Sequence, residues 1–118
     1  MLNLTKRSIT VVQQDGGRIT FSPSGTLATV DKLEEKGEDL ISVVIYFGEE
    51  KESVKLRTVK FKVGKVEGLP KEGTPCLVDK EVAAAVPGRK GVYTPDTGPT
   101  AIRDKKGLLE AVTRLIAA

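Results

Sequence analysis

Turn signals interrupt this chain at short intervals. Asp15-Gly16-Gly17, Pro23-Ser24-Gly25, Gly68-Leu69-Pro70, Pro87-Gly88, Pro95-Asp96-Thr97-Gly98-Pro99 and Asp104-Lys105-Lys106-Gly107 divide residues 1–25 and 68–118 into short segments. The segments they bound are rich in β-branched residues: SITVVQQ, RITF, TLATV, LISVVIYF and SVKLRTVKFKVGK. This pattern predicts a mainly β fold, a compact sandwich or partly open barrel of about six to eight short strands. DKEVAAAVPG is the exception. Asp79 is placed to cap, the three alanines favour helix and Pro87-Gly88 stops it, which predicts one short helix near 79–86.

The length, 118 residues, predicts a single domain spanning 1–118. A chain of this size buries roughly two-thirds of its extended surface and folds without a disulfide or metal. Aromatic residues make up only 4% and there is no Trp, so Phe21, Phe47 and Phe61 are the expected bulky anchors of a Val, Leu, Ile and Ala core.

Within this frame the strands are read as follows. SITVVQQ and RITF form a hairpin about the Asp15-Gly16-Gly17 turn. TLATV is a short third strand, and the charged DKLEEKGED at 31–39 is a loop. LISVVIYF at 40–47 is apolar almost throughout, which predicts a strand covered on both faces, and GEEKE is a charged hairpin tip. The run 53–65 reads as one long strand whose alternation slips at Thr58-Val59, as a β-bulge would make it do. The C-terminus is ambiguous. Leu108, Leu109, Val112, Leu115 and Ile116 follow helical spacing, whereas Arg103-Asp104-Lys105-Lys106-Gly107 fits a type I turn with Gly107 in the left-handed bulge position of a hairpin.

Several of these motifs fall in a familiar order: LNLT at 2–5, PSGT at 23–26, GKVEGLP at 64–70, EGTPCLVDKEVAAAVPGR at 72–89 and TPDTGPTAIRDKKG at 94–107. In that order they resemble a family of small uncharacterised bacteriophage and bacterial proteins. The likeness is weakest over 31–58. It implies a short N-terminal strand, a Gly-Thr strand leading into a short helix, and a terminal hairpin rather than a helix. It implies no catalytic residues.

Composition closes off several chemistries. There is no histidine, which removes Ser-His-Asp and Cys-His nucleophile systems and the common zinc sites. One cysteine, Cys76, allows no intrachain disulfide, and its PCLVD setting predicts a buried thiol without nucleophilic activation. No cofactor or metal is expected. No stretch approaches the roughly 20 apolar residues of a membrane helix, and nothing reads as a secretory leader. The expectation is a soluble protein of the cytoplasm, that of the host if viral.

Three functional readings follow. Charge is uneven: residues 1–59 carry eight basic and nine acidic side chains, residues 60–118 eleven and seven. The basic run Lys55, Arg57, Lys60, Lys62 and Lys65 could track a phosphate backbone, although neither Tyr46 nor Tyr93 is interleaved with it in sequence. Asp96, Asp104 and Arg103 could form the polar centre of a small enzyme if they converge, but turn-forming roles are the better account of both aspartates. The leading expectation is a non-enzymatic phage or viral accessory or structural protein that works by protein–protein binding, with self-association through unpaired β-edges.

Overall fold

A computed structural model describes residues 1–34 and 39–118. The fold is mainly β with one short helix. In chain order the elements are β1 (Leu2–Asn3), β2 (Ile9–Val12), β3 (Arg18–Phe21), β4 (Thr29–Glu34), β5 (Asp39–Phe47), β6 (Glu50–Thr58), β7 (Phe61–Glu67), β8 (Cys76–Leu77), α1 (Lys80–Ala85), β9 (Val92–Pro95), β10 (Ile102–Arg103), β11 (Leu109–Ala111) and β12 (Leu115–Ala117). They assemble into one four-stranded sheet, ordered β1-β8-β9-β12, and four two-stranded ladders; no closed barrel forms among the described residues. The chain expected to be one domain packs as two compact units, Met1–Val30 with Lys65–Ala118, and Asp31–Gly64.

The first unit holds the core. β8 runs parallel to both β1 and β9, and α1 is the crossover between β8 and β9, so TPCLVDKEVAAAVPGRKGVYTP is a small βαβ unit. Cys76 and Val78 share one face of the sheet with Val92 and pack with Leu4, Val82 and Ala83. Leu77 alternates to the other face and is also fully buried, as is Val112. Burying each such Val or Leu contributes about 1.5–3 kcal/mol. The helix has Asp79 at its N-cap position, but the Asp79 side chain makes no capping hydrogen bond.

Two glycines are required by close packing. Gly68, at φ +85°, lies where a Cβ would stand 2.1 Å from the Leu27 carbonyl oxygen. Gly91, at φ +86°, lies where it would stand 2.6 Å from that of Thr74. The Gly-Leu-Pro motif therefore marks a backbone crossing.

Both hairpins expected in this unit are present. β2 pairs antiparallel with β3, from Ile9↔Phe21 to Val12↔Arg18. β10 pairs with β11, so the helical spacing of 108–116 loses to the turn. The Asp104 carbonyl accepts from Gly107 N–H at 3.0 Å and Gly107 adopts φ +80°, the type I turn with a left-handed glycine. The chain then continues through β12, which pairs with β9.

The second unit corrects several expectations. Residues 31–34, expected in a loop, extend β4, and Asp39 at the other end of that expected loop opens β5; 35–38 lie outside the described residues. The run 53–65 is not one bulged strand. It breaks at Val59-Lys60 into β6, which pairs with β5, and β7, which pairs with β4. LISVVIYF is a strand but is not covered on both faces, and Phe47 and Phe61, expected as anchors, are each 62% exposed. Phe21 is half-buried. The core is built instead from Leu, Val, Ala and Cys side chains.

Candidate functional site

Asp96, Asp104 and Arg103 lie in one region of the first unit, and all three are engaged with turns. Asp96 Oδ1 accepts from Gly98 N–H at 3.0 Å. Its Oδ2 accepts from Arg114 Nε at 2.5 Å. The Arg114 guanidinium, and after it the Gly98 amide, hold the Asp96 carboxyl below its ordinary range. Asp104 Oδ1 accepts from the amides of Lys106 and Leu108, at 2.8 and 2.9 Å. Arg103 donates to the carbonyls of Thr97 and Gly107, at 2.9 and 3.2 Å. Arg103 thus ties the Asp96 turn to the Asp104 turn. Neither carboxylate converges with the other on an open space, so the geometry gives no motive for the three-residue catalytic centre.

Cys76 is fully buried, and burial pushes its thiol up from the ordinary value, partly offset by Arg89. Such a thiol is a packing group and no nucleophile. No cluster of three metal-ligating side chains occurs among the described residues. No helix of the described residues is long and apolar enough to cross a membrane.

Asn3 has a part that sequence reasoning missed. It is buried, and its Nδ2 donates to the carbonyls of Arg7 and Phe21 at 2.7 and 2.8 Å. Its Oδ1 accepts from Thr5 N–H and Thr5 Oγ1, at 3.0 and 2.7 Å. The Asn-Leu-Thr motif is a structural knot joining β1 to β3. Its signal was the lone asparagine in a β-rich segment. Beside it opens a cleft of about 520 Å³ lined by Lys6, Arg7, Ser8, Lys80, Glu81 and Thr94, among others. Its cations and acids are interleaved, and it selects no ligand class.

The five cations at 55–65 do not form one stripe. Lys55 and Arg57 are on β6, Lys60 lies in the break, and Lys62 and Lys65 fall on opposite faces of β7. Lys65 pairs with Glu67 at 3.3 Å.

The most distinctive surface is the β5–β6 hairpin. Its register runs from Asp39↔Thr58 to Phe47↔Glu50, closed by Gly48-Glu49. Gly48 has φ +63° and Glu49 does not have a positive φ, which makes this a type II′ turn. Directly opposed residues in an antiparallel pair project to the same side. One face therefore carries Ile41, Val43, Ile45, Phe47, Val54 and Leu56, with Glu50 and Glu52 at the tip. The other carries Lys51, Lys55 and Arg57 with Leu40, Val44 and Tyr46. Tyr46, 72% exposed, stands directly opposite Lys51, so the aromatic that sequence separation kept apart from the cations shares their face. On the apolar face the central Val43 and Val54 are half-buried, as is Thr58 at its far end, while Ile41, Ile45, Phe47 and Leu56 are exposed. The sequence hid this division because β5 is apolar at nearly every position, and only pairing with β6 decides which side is charged.

Comparison with protein families, curated proteins and solved structures gives no match.

Proposed function

We propose that the protein acts by binding other polypeptides through the β5–β6 hairpin, as a non-enzymatic accessory or structural component of the viral type. The observation that carries this is the exposed apolar face, Ile41, Ile45, Phe47 and Leu56 around Val43 and Val54. Contiguous exposed apolar surface on a folded chain marks an interaction site. The engagement of Asp96, Asp104 and Arg103 in turns supports a non-enzymatic reading, and the order of the turn motifs supports the viral type.

A photo-crosslinking residue at Phe47, compared with one at Lys105 on the first unit, tests this. Cross-links to a polypeptide, a second copy included, are expected at 47 well above those at 105. Equal, low yields at both positions would count against it.

The opposite face favours a second reading, sequence-independent binding of single-stranded nucleic acid. Here Tyr46 supplies a stacking ring beside Lys51 and Lys55. Fluorescence anisotropy with a labelled oligonucleotide checks it. Phosphate contacts by Lys51 and Lys55 give a log–log salt slope of about −1.4, and no binding at low salt removes this reading.

A further inference from the structure

We propose that the occupant of the hairpin is a second copy of this chain, joined by antiparallel pairing of β5 with its own counterpart about a two-fold axis at Val43. This rests on the reading above that the hairpin binds polypeptides, and it names a partner for the β5 edge of that hairpin, leaving the apolar face open.

The argument starts from the two edges of the hairpin. In a hairpin closed by two residues, the flanking pair exchanges both main-chain hydrogen bonds, and bonded pairs then alternate along the ladder. Phe47↔Glu50 is the flanking pair, so Leu40, Ser42, Val44 and Tyr46 turn their N–H and C=O groups away from β6. Among the described residues β5 pairs with nothing but β6. Its outer edge is nine residues long, with no proline and no charge between Leu40 and Phe47. Chains that keep an edge unpaired usually guard it with lysine, proline or a bulge, and β5 has none of these.

β6 is guarded. It carries Glu50, Lys51, Glu52, Lys55 and Arg57. A two-fold pairing that keeps the apolar faces on one side opposes residues of equal parity. About residue 54 this sets Lys51 against Arg57 of the second copy; about 53, Lys51 against Lys55; about 55, Lys55 against itself. Like charges directly opposed are destabilising. β5 meets no such conflict, because its sole charge is Asp39.

Centring the axis on Val43 uses the whole strand. Leu40 then opposes Tyr46, Ser42 opposes Val44, Ile41 opposes Ile45 and Val43 opposes itself. About eight main-chain hydrogen bonds form, and the apolar faces of the two hairpins become one four-stranded face. Both subunits use the same patch, so the assembly closes as a dimer and does not propagate.

The test uses the full chain in sedimentation equilibrium from low to high micromolar concentration, with Val43→Cys, Leu56→Cys and Val44→Pro variants. Val43 would be a self-opposed, non-hydrogen-bonded pair, whose Cα separation of about 4.5 Å suits a disulfide. Mild oxidation is expected to link Val43→Cys into a covalent dimer and to leave Leu56→Cys monomeric. Val44→Pro removes an outward N–H without touching the β5–β6 ladder, so it keeps the circular dichroism spectrum and weakens dimerisation at least about tenfold. A wild-type chain that stays monomeric, a dimer indifferent to Val44→Pro, or an open-ended polymer each overturns the proposal. If the chain is monomeric but position 47 still cross-links to a different polypeptide, the protein-binding reading stands and the second copy alone is excluded.

Discussion

Arg114 holds Asp96 twice. Its Nε donates to the Asp96 Oδ2 at 2.5 Å, and its carbonyl accepts from the Asp96 amide at 3.2 Å. The contact fastens the segment before β12 to the end of β9 across 18 residues of sequence.

This pair sets an acid dependence. The Asp96 carboxyl is held below its ordinary value of 3.8, so the ionised form favours the folded state. The stability it contributes is fully present above pH 3.8 and is lost as pH falls through the lower folded value. Asp96→Asn and Arg114→Ala should lower the urea midpoint at pH 7. The gap from wild type should close on titration below pH 3.8. A gap that persists unchanged in acid would show the effect to be steric.

Asn3→Ala should destabilise by about 1–3 kcal/mol, since it leaves the buried Thr5 amide and the part-buried Arg7 and Phe21 carbonyls without their side-chain partner. Asn3→Asp should fare little better, because a carboxylate cannot donate to those carbonyls. Urea unfolding followed by circular dichroism measures both.

Gly91 and Gly25 separate backbone strain from collision. Both have positive φ, +86° and +94°, but a Cβ at Gly25 meets nothing within 4 Å. Gly25→Ala should cost about 1 kcal/mol from conformation alone. Gly91→Ala drives a methyl into the Thr74 carbonyl and should cost more than about 3 kcal/mol. Chemical denaturation of the two variants side by side gives the difference.

Cys76 should ignore a thiol reagent in the folded protein at pH 8 and react at once in denaturant. Burial raises its pKa, so the thiolate is favoured in the unfolded chain. Stability that is intact below pH 9.0 should therefore erode above it. Rapid labelling under native conditions would contradict the burial.

Much of the first unit is legible in the sequence because its signals are local. Asp15-Gly16-Gly17 and Asp104-Lys105-Lys106-Gly107 specify their hairpins by turn chemistry, and Pro87-Gly88 ends α1 within a residue or two. The parallel pairing of β1 with β8 is not legible, since nothing in Leu2-Asn3 names Cys76-Leu77 as its partner. Asp96 could be read as a turn former, but Arg114 carries no sign of reaching it. At 53–65 the alternation is real, yet its slip at Thr58-Val59 marks the end of one strand and the start of another with a new partner.

The β1–β8 pairing also orders events in time. Leu2 and Asn3 pair with Cys76 and Leu77, so the sheet cannot close on them until most of the chain has been synthesised. The β5–β6 hairpin needs only 20 neighbouring residues, Asp39 to Thr58, and such local structure forms in about 1–10 μs. During synthesis the apolar face of the hairpin is therefore complete while the first unit still waits for β8. The proposed β5–β5 pairing is therefore open to two nascent chains on one message before either has finished folding.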